Sequence, residues 1–198
     1  MTLHLVRHAR TDADAGLVVG HHDAGLSEEG RAAANRLAES WAGPPPARLV
    51  ASDLRRALDS AAPFAARWGL AVEPEPRLRE VHFGAWEGRT WNAVQAEDEP
   101  ALNGWMADWV NVAPPGGESF VQLVSRAAAW LAEVEAAPGP LLAVAHAGSI
   151  RALIVAALRL PPDRAFSFTI NLAHVVRLDR GMGGWTLTFS NAPSFPAS

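Results

Sequence analysis

Apolar positions along this chain follow two alternating rhythms. Short unbroken runs at residues 3–6 (LHLV), 49–52 (LVAS) and 141–146 (LLAVAH) read as strands buried on both faces. Longer segments between them carry helical spacing. Ser27 is placed to cap a helix with Glu28 and Glu29 in its first turn; Ala34, Leu37, Ala38 and Trp41 recur on one face until Gly43 and the prolines at 44–46. Another helix is predicted from about Ser119, with Phe120, Leu123, Val124, Ala127, Leu131 and Val134 on one side and a stop at 138–140 (PGP). A further helix spans 148–160 and is halted by Pro161 and Pro162. The helix after Asp53 is expected to kink or end at Pro63. Residues 174–179 and 185–190 read as a terminal hairpin around Gly181, Gly183 and Gly184. Strands alternating with helices predict an α/β domain on a largely parallel sheet. No repeat or linker divides the 198 residues, so one domain over 1–198 is expected.

Composition removes several function classes. With 49% hydrophobic and 19% charged residues the chain reads as globular. A net charge of −4 argues against nucleic acid and against an anionic membrane. The longest apolar stretch, 152–158, is far short of the roughly 18 residues that a membrane span needs. No signal-peptide pattern opens the chain and there is no cysteine, so the expected compartment is the cytoplasm and neither a disulfide nor a thiolate metal site is possible. All 17 basic residues are arginine. A phosphate site here must therefore use Arg and His, and Arg offers a rigid two-pronged donor.

Open α/β sheets bind ligands beyond the carboxyl ends of their strands. Three predicted strands end on such chemistry: the first on Arg7 and His8, the second leading to Arg55 and Arg56, the third on His146. Both histidines close an apolar run and precede small residues, Ala9 in one case and Ala147 with Gly148 in the other. Small residues let an anion reach backbone amides, and a following helix N-terminus favours it. Either histidine alone reads better as a hydrogen-bonded core residue. Two matched strand ends with Arg56 point to a phosphoryl site.

LVRHART at 5–11 resembles the Arg-His-Gly signature of the histidine phosphatase superfamily, which includes cofactor-dependent phosphoglycerate mutases and many phosphomonoesterases. GHHDAGLSEEG (20–30), SDLRRALDSA (52–61), LREVHFGAWEG (78–88), PPGGESF (114–120) and VAHAGSIRAL (144–153) are similar to further segments of that family, in order. The resemblance implies a three-layer α/β/α fold of phosphoglycerate mutase type. It implies that His8 is the nucleophile, that Arg7, Arg56 and a cationic His146 neutralise the phosphoryl oxygens, and that Glu80 is the acid. Asp14, Gly20, His21 and Ala147 complete the residues expected around the phosphate, without metal or other cofactor. Two positions depart from the family pattern: Ala9 stands for the usual glycine, and Asp14 for an asparagine, where a carboxylate would repel phosphate. The His21–His22 pair matches neither H-E-x-x-H nor H-x-x-E-H zinc pattern.

By the same resemblance, residues 81–116 form a lid. It holds Trp86, Trp91, Trp105 and Trp109, and one cation, Arg89, against five carboxylates. Such a lid suits a small-molecule monophosphate with an apolar or aromatic leaving group better than a bisphosphate. Core packing is the competing role for these tryptophans, for at least two of the four. The segments are most similar to α-ribazole phosphatases. A phosphoglycerate mutase and a non-catalytic phospho-ligand module are the alternatives, and a monomer or homodimer is expected.

Overall fold

Period-two alternation in the central strands sends neighbouring side chains to opposite faces. In the computed structural model, which describes residues 1–13, 16–137 and 139–194, Leu3, Leu5, Leu141, Ala143 and Ala145 enter one buried cluster. Val6, Leu142 and Val144 enter another. The strands are β1 (Thr2–Arg7), β2 (Arg48–Ala51), β3 (Val72–Pro74), β4 (Leu141–Ala145), β5 (Val175–Gly181) and β6 (Gly184–Ala192). They form one sheet in the order β3-β2-β4-β1-β5-β6. Pairings from β3 through β1 are parallel, while β5 and β6 add an antiparallel edge that contains the expected hairpin.

Helices cover both faces. On one lie α1 (Glu28–Glu39) and α2 (Arg55–Trp68), which supply Leu37, Ala57, Ala61 and Phe64 to the cluster around Val6. On the other lie α5 (Phe120–Glu135) and α6 (Ala147–Leu158), with Leu123, Ala127, Leu131, Ile150 and Leu153. Two short helices, α3 (Trp91–Glu97) and α4 (Glu99–Ala107), lie within 81–116. The three-layer arrangement is the one the sequence predicts.

Local signals explain most boundaries. Ser27 caps α1 by accepting from the Gly30 N–H at 3.0 Å, and Ser119 caps α5 in a reciprocal box with Gln122. Helix α1 stops at Glu39, short of the predicted Gly43, and Arg67 satisfies the carbonyls of Ala38, Glu39 and Trp41 at and beyond its last turn. Pro63 does not end α2, which continues to Trp68 and closes on Gly69 in the left-handed region. The predicted stop at Pro138 lies outside the described residues. Strand β3 has no sequence signature: it is three residues long, half exposed, and at an edge where Pro74 is tolerated.

Candidate active site

Parallel register decides where the histidines fall. Arg7 pairs with Ala145, so the next residues on the two strands, His8 and His146, stand side by side. The His8 N–H donates to the Ala145 carbonyl at 2.9 Å, and the two ring centroids are 5.0 Å apart. The first turn of α2 brings Arg56 against the His146 ring.

Hydrogen bonds fix the protonation of each ring. His8 Nδ1–H donates to the Ala9 carbonyl at 2.7 Å, which leaves the lone pair on Nε2. Burial, reinforced by Arg56 and Arg7, pushes the His8 pKa down to about 3, so the imidazole is neutral. Arg56 Nε donates to His146 Nδ1 at 3.2 Å; a guanidinium only donates, so the His146 proton sits on Nε2, which donates to Ser52 Oγ at 2.8 Å. Burial, His8 and Arg56 hold the His146 pKa well below its ordinary value. The cationic His146 expected from sequence is thus a neutral ring here, because a protonated Nδ1 cannot accept from Arg56.

Arg56 is 1% exposed and also donates to the carbonyls of His22 at 2.9 Å and Gly20 at 2.6 Å. Arg7 Nη1 donates to the Ile170 carbonyl at 2.7 Å, while its buried Nε has no hydrogen-bond partner among the described residues. Glu80 arrives on the loop after β3, and its carboxylate accepts from the Val81 N–H at 3.0 Å and the Gly148 N–H at 3.2 Å. Gly148 is required for that approach: a Cβ there would lie 2.1 Å from Glu80 Oε1.

These groups line a cavity of about 320 Å³ whose polar side is Arg7, His8, Arg56 and Glu80. Leu17, Val18, Val19, Phe83, Trp91 and Leu172 form its apolar wall, and Arg10 and Gly20 also line it. Arg10 is mostly exposed and pairs with Glu29 at 3.1 Å. The arrangement offers an imidazole nitrogen, two guanidinium ions and a carboxyl group around one cavity, the kinds of group that phosphoryl transfer calls on.

Other predicted residues fall differently. His21 is not part of the cavity wall: its Nε2–H donates to the Glu80 carbonyl at 2.8 Å and its ring packs on His82 at 4.6 Å. Ala147 is buried at the start of α6, also away from the wall. Asp14 lies outside the described residues. Ala9 has a negative φ, so its methyl group is accommodated where the family has glycine. The expected rim of available amides is occupied: Ala9 N–H donates to Ser60 Oγ at 2.9 Å, and Gly148 N–H to Glu80.

Sequence reading passes over several residues. Ser52 and Ser60 lie in the SDLRRALDSA run, read only for Arg56, although Ser60 follows Arg56 by one helical turn and donates to its carbonyl at 2.7 Å. Trp86 is fully buried, Trp105 stacks on Trp91 with centroids 5.8 Å apart, and Trp109 packs on Phe120 and Phe166. Of the four lid tryptophans, Trp91 lines the cavity.

Comparison with known proteins agrees with this geometry. Residues 3–193 match the sequence model of the histidine phosphatase superfamily, branch 1. The chain is 39% identical to a glucosyl-3-phosphoglycerate phosphatase of Mycobacterium tuberculosis over 79% of its own length and 75% of that protein's. It is 31% identical to an adenosylcobalamin/α-ribazole phosphatase of Salmonella typhimurium, covering 97% and 96%. The crystal structure of the α-ribazole phosphatase from Shigella flexneri superposes with a TM-score of 0.93 at 27% identity, over the whole of both chains. With His8, Arg7, Arg56 and His146 gathered at the carboxyl edge of the sheet, the chain belongs to the histidine phosphatase superfamily.

Proposed function

We propose that this phosphatase is a metal-independent phosphomonoesterase that works through a phosphohistidine on His8. The observation that carries the reading is a neutral, buried His8 whose Nε2 keeps its lone pair beside Arg7 and Arg56. In the first step Nε2 bonds to phosphorus and the P–O ester bond breaks, while the Glu80 carboxyl gives its proton to the leaving oxygen. In the second, water attacks the phosphohistidine, its proton passes to the Glu80 carboxylate, and inorganic phosphate leaves with His8 restored. Charge on the equatorial oxygens is met by the Arg7 and Arg56 guanidinium groups that line the cavity, so the cations a metal would otherwise supply are in place.

The substrate is a small phosphate ester with an apolar or aromatic leaving group, α-ribazole phosphate being the leading candidate. Support comes from the wall of Phe83, Trp91 and aliphatic side chains and from the full-length likeness to α-ribazole phosphatases. A second reading, an ester with an anionic glyceryl group, is favoured by Arg10 on the cavity wall and by the glucosyl-3-phosphoglycerate phosphatase relative. Residues 81–116 act as the lid of one domain spanning the chain, and the expected setting is the cytoplasm. No described helix is long and apolar enough to cross a membrane.

Rapid quenching at high pH after mixing with radiolabelled substrate should trap label on His8 that is stable to base and lost in acid. Label on another residue, or turnover abolished by EDTA and restored by zinc or magnesium, would sink the mechanism. Ranking kcat/KM for α-ribazole phosphate, glucosyl-3-phosphoglycerate, 3-phosphoglycerate and p-nitrophenyl phosphate decides the substrate, and phosphoglycerate interconversion would instead indicate a mutase.

A further inference from the structure

Glu80 sits on a loop, yet general acid chemistry needs its carboxyl fixed to a fraction of an ångström. Its carboxylate end rests on the Val81 and Gly148 amides. Its backbone end is held from α5. Arg126 Nη1 donates to the Arg77 carbonyl at 2.7 Å and Nη2 to the Glu80 carbonyl at 2.8 Å, which also accepts His21 Nε2–H at 2.8 Å. The other edge of the same guanidinium takes Glu118 in two bonds, Nε to Oε2 at 3.0 Å and Nη2 to Oε1 at 2.6 Å. Glu118 continues the chain of contacts: its Oε1 accepts from the His82 N–H at 3.0 Å, and its own N–H donates to the His82 carbonyl at 2.9 Å.

We infer that Arg126 and Glu118 are a positioning pair for the acid, clamping residues 77 to 82 on both sides of Glu80 so that its carboxyl meets the leaving oxygen. The inference rests on the general-acid role of Glu80 proposed above. Neither side chain lines the cavity. Their influence therefore passes through Glu80, and only a planar fork can bridge two carbonyls and a carboxylate at once.

The pair should matter in proportion to how much the leaving group needs a proton. Arg126→Met should slow kcat on an alkyl phosphate by about tenfold to a hundredfold, the scale of a misplacement near 1 Å. It should leave p-nitrophenyl phosphate, a good leaving group, far less affected and vanadate affinity unchanged. Arg126→Lys, with a single nitrogen to share between two carbonyls, should recover part of the loss. Glu118→Gln keeps the acceptor for His82 and should show the same leaving-group bias more weakly, so a folded probe remains if Arg126→Met is unstable. In the Glu80→Gln background, Arg126→Met should cost nothing more on the alkyl ester. Losses that add in the double variant, or that fall equally on both esters, overturn the inference while leaving Glu80 as acid. If Glu80→Gln alone shows no leaving-group bias, the acid role fails and the clamp with it.

Discussion

The floor of the cavity and its lid are held together by opposite means. On the floor, His8 and Arg56, with His146 buried behind them, are polar groups each locked by bonds to backbone or hydroxyl oxygens: Ala9, Gly20, His22 and Ser52. In the lid, Phe83, Trp86, Trp91 and Trp105 hold one another ring against ring, with centroids 5.6 to 6.4 Å apart. The two meet along a short seam, where Val18 exchanges backbone bonds with Gly88 and Arg89, and Trp91 N–H donates to Gly16. Hydrogen bonds are directional and set atoms to fixed positions, as bond making requires. Ring contacts tolerate shifts of shape and suit the fitting of varied leaving groups. On the function proposed above, reaction type is encoded in the floor and selectivity in the lid.

The sharpest way to break this division is His8→Ala. It should lower kcat on every ester by roughly three or more orders of magnitude, because no neighbouring group offers a second covalent route. A loss confined to some substrates in a steady-state panel would make His8 a selectivity residue. Acid provides a second, thermodynamic test. Free imidazoles titrate near 6.5, whereas His8 is pushed down to about 3 and His4, buried in β1, to about 4. Between those values the unfolded chain takes up protons that the native one refuses, so stability present above pH 6.5 is lost as pH falls. At pH 5 the loss amounts to about 2 kcal/mol per imidazole, enough to lower the melting temperature by several degrees in calorimetry. A Tm that is flat from pH 7 to 5 would show that these rings are not held neutral. The smallest effect belongs to the lid. Trp91→Ala should raise KM for bulky aromatic esters by about tenfold and leave small aliphatic esters nearly unchanged, with Trp105→Ala, one ring further out, weaker still. Equal penalties for both ester classes would reduce Trp91 to packing.

Much of the floor was legible because strand chemistry is local. An apolar run that ends in Arg-His, matched by a second run ending in His, marks the carboxyl edge of a parallel sheet without knowledge of the fold. The second strand end pointed to Arg55 and Arg56 together; choosing Arg56, and picking out Glu80 at all, needed the family resemblance, since one carboxylate in a loop carries no local sign. What stayed hidden is the partner network. Ser52 meets His146 across 94 residues of sequence, Ser60 meets Ala9 across 51, and Arg126 reaches Glu80 across 46, so no window of sequence contains both members. The protonation of His146 follows from that network and was misjudged for the same reason. In the lid, the tryptophans were visible but their order in space was not: four stand alike in the sequence while Trp91, with Phe83, lines the cavity, because α3 and α4 are too short for a periodic pattern to reveal their inner face.

Ser60 has a consequence for motion. Its hydroxyl accepts the Ala9 amide and donates to the Arg56 carbonyl, so one atom ties the residue after the nucleophile to the turn that carries the arginine. Loop amides ordinarily exchange with solvent quickly, because nothing cooperative need open to release them. The Ala9 proton, outside any strand, is instead tethered to the body of α2. Its exchange should keep pace with the separation of β1 from α2, which makes this single amide a clock for how often the site comes apart.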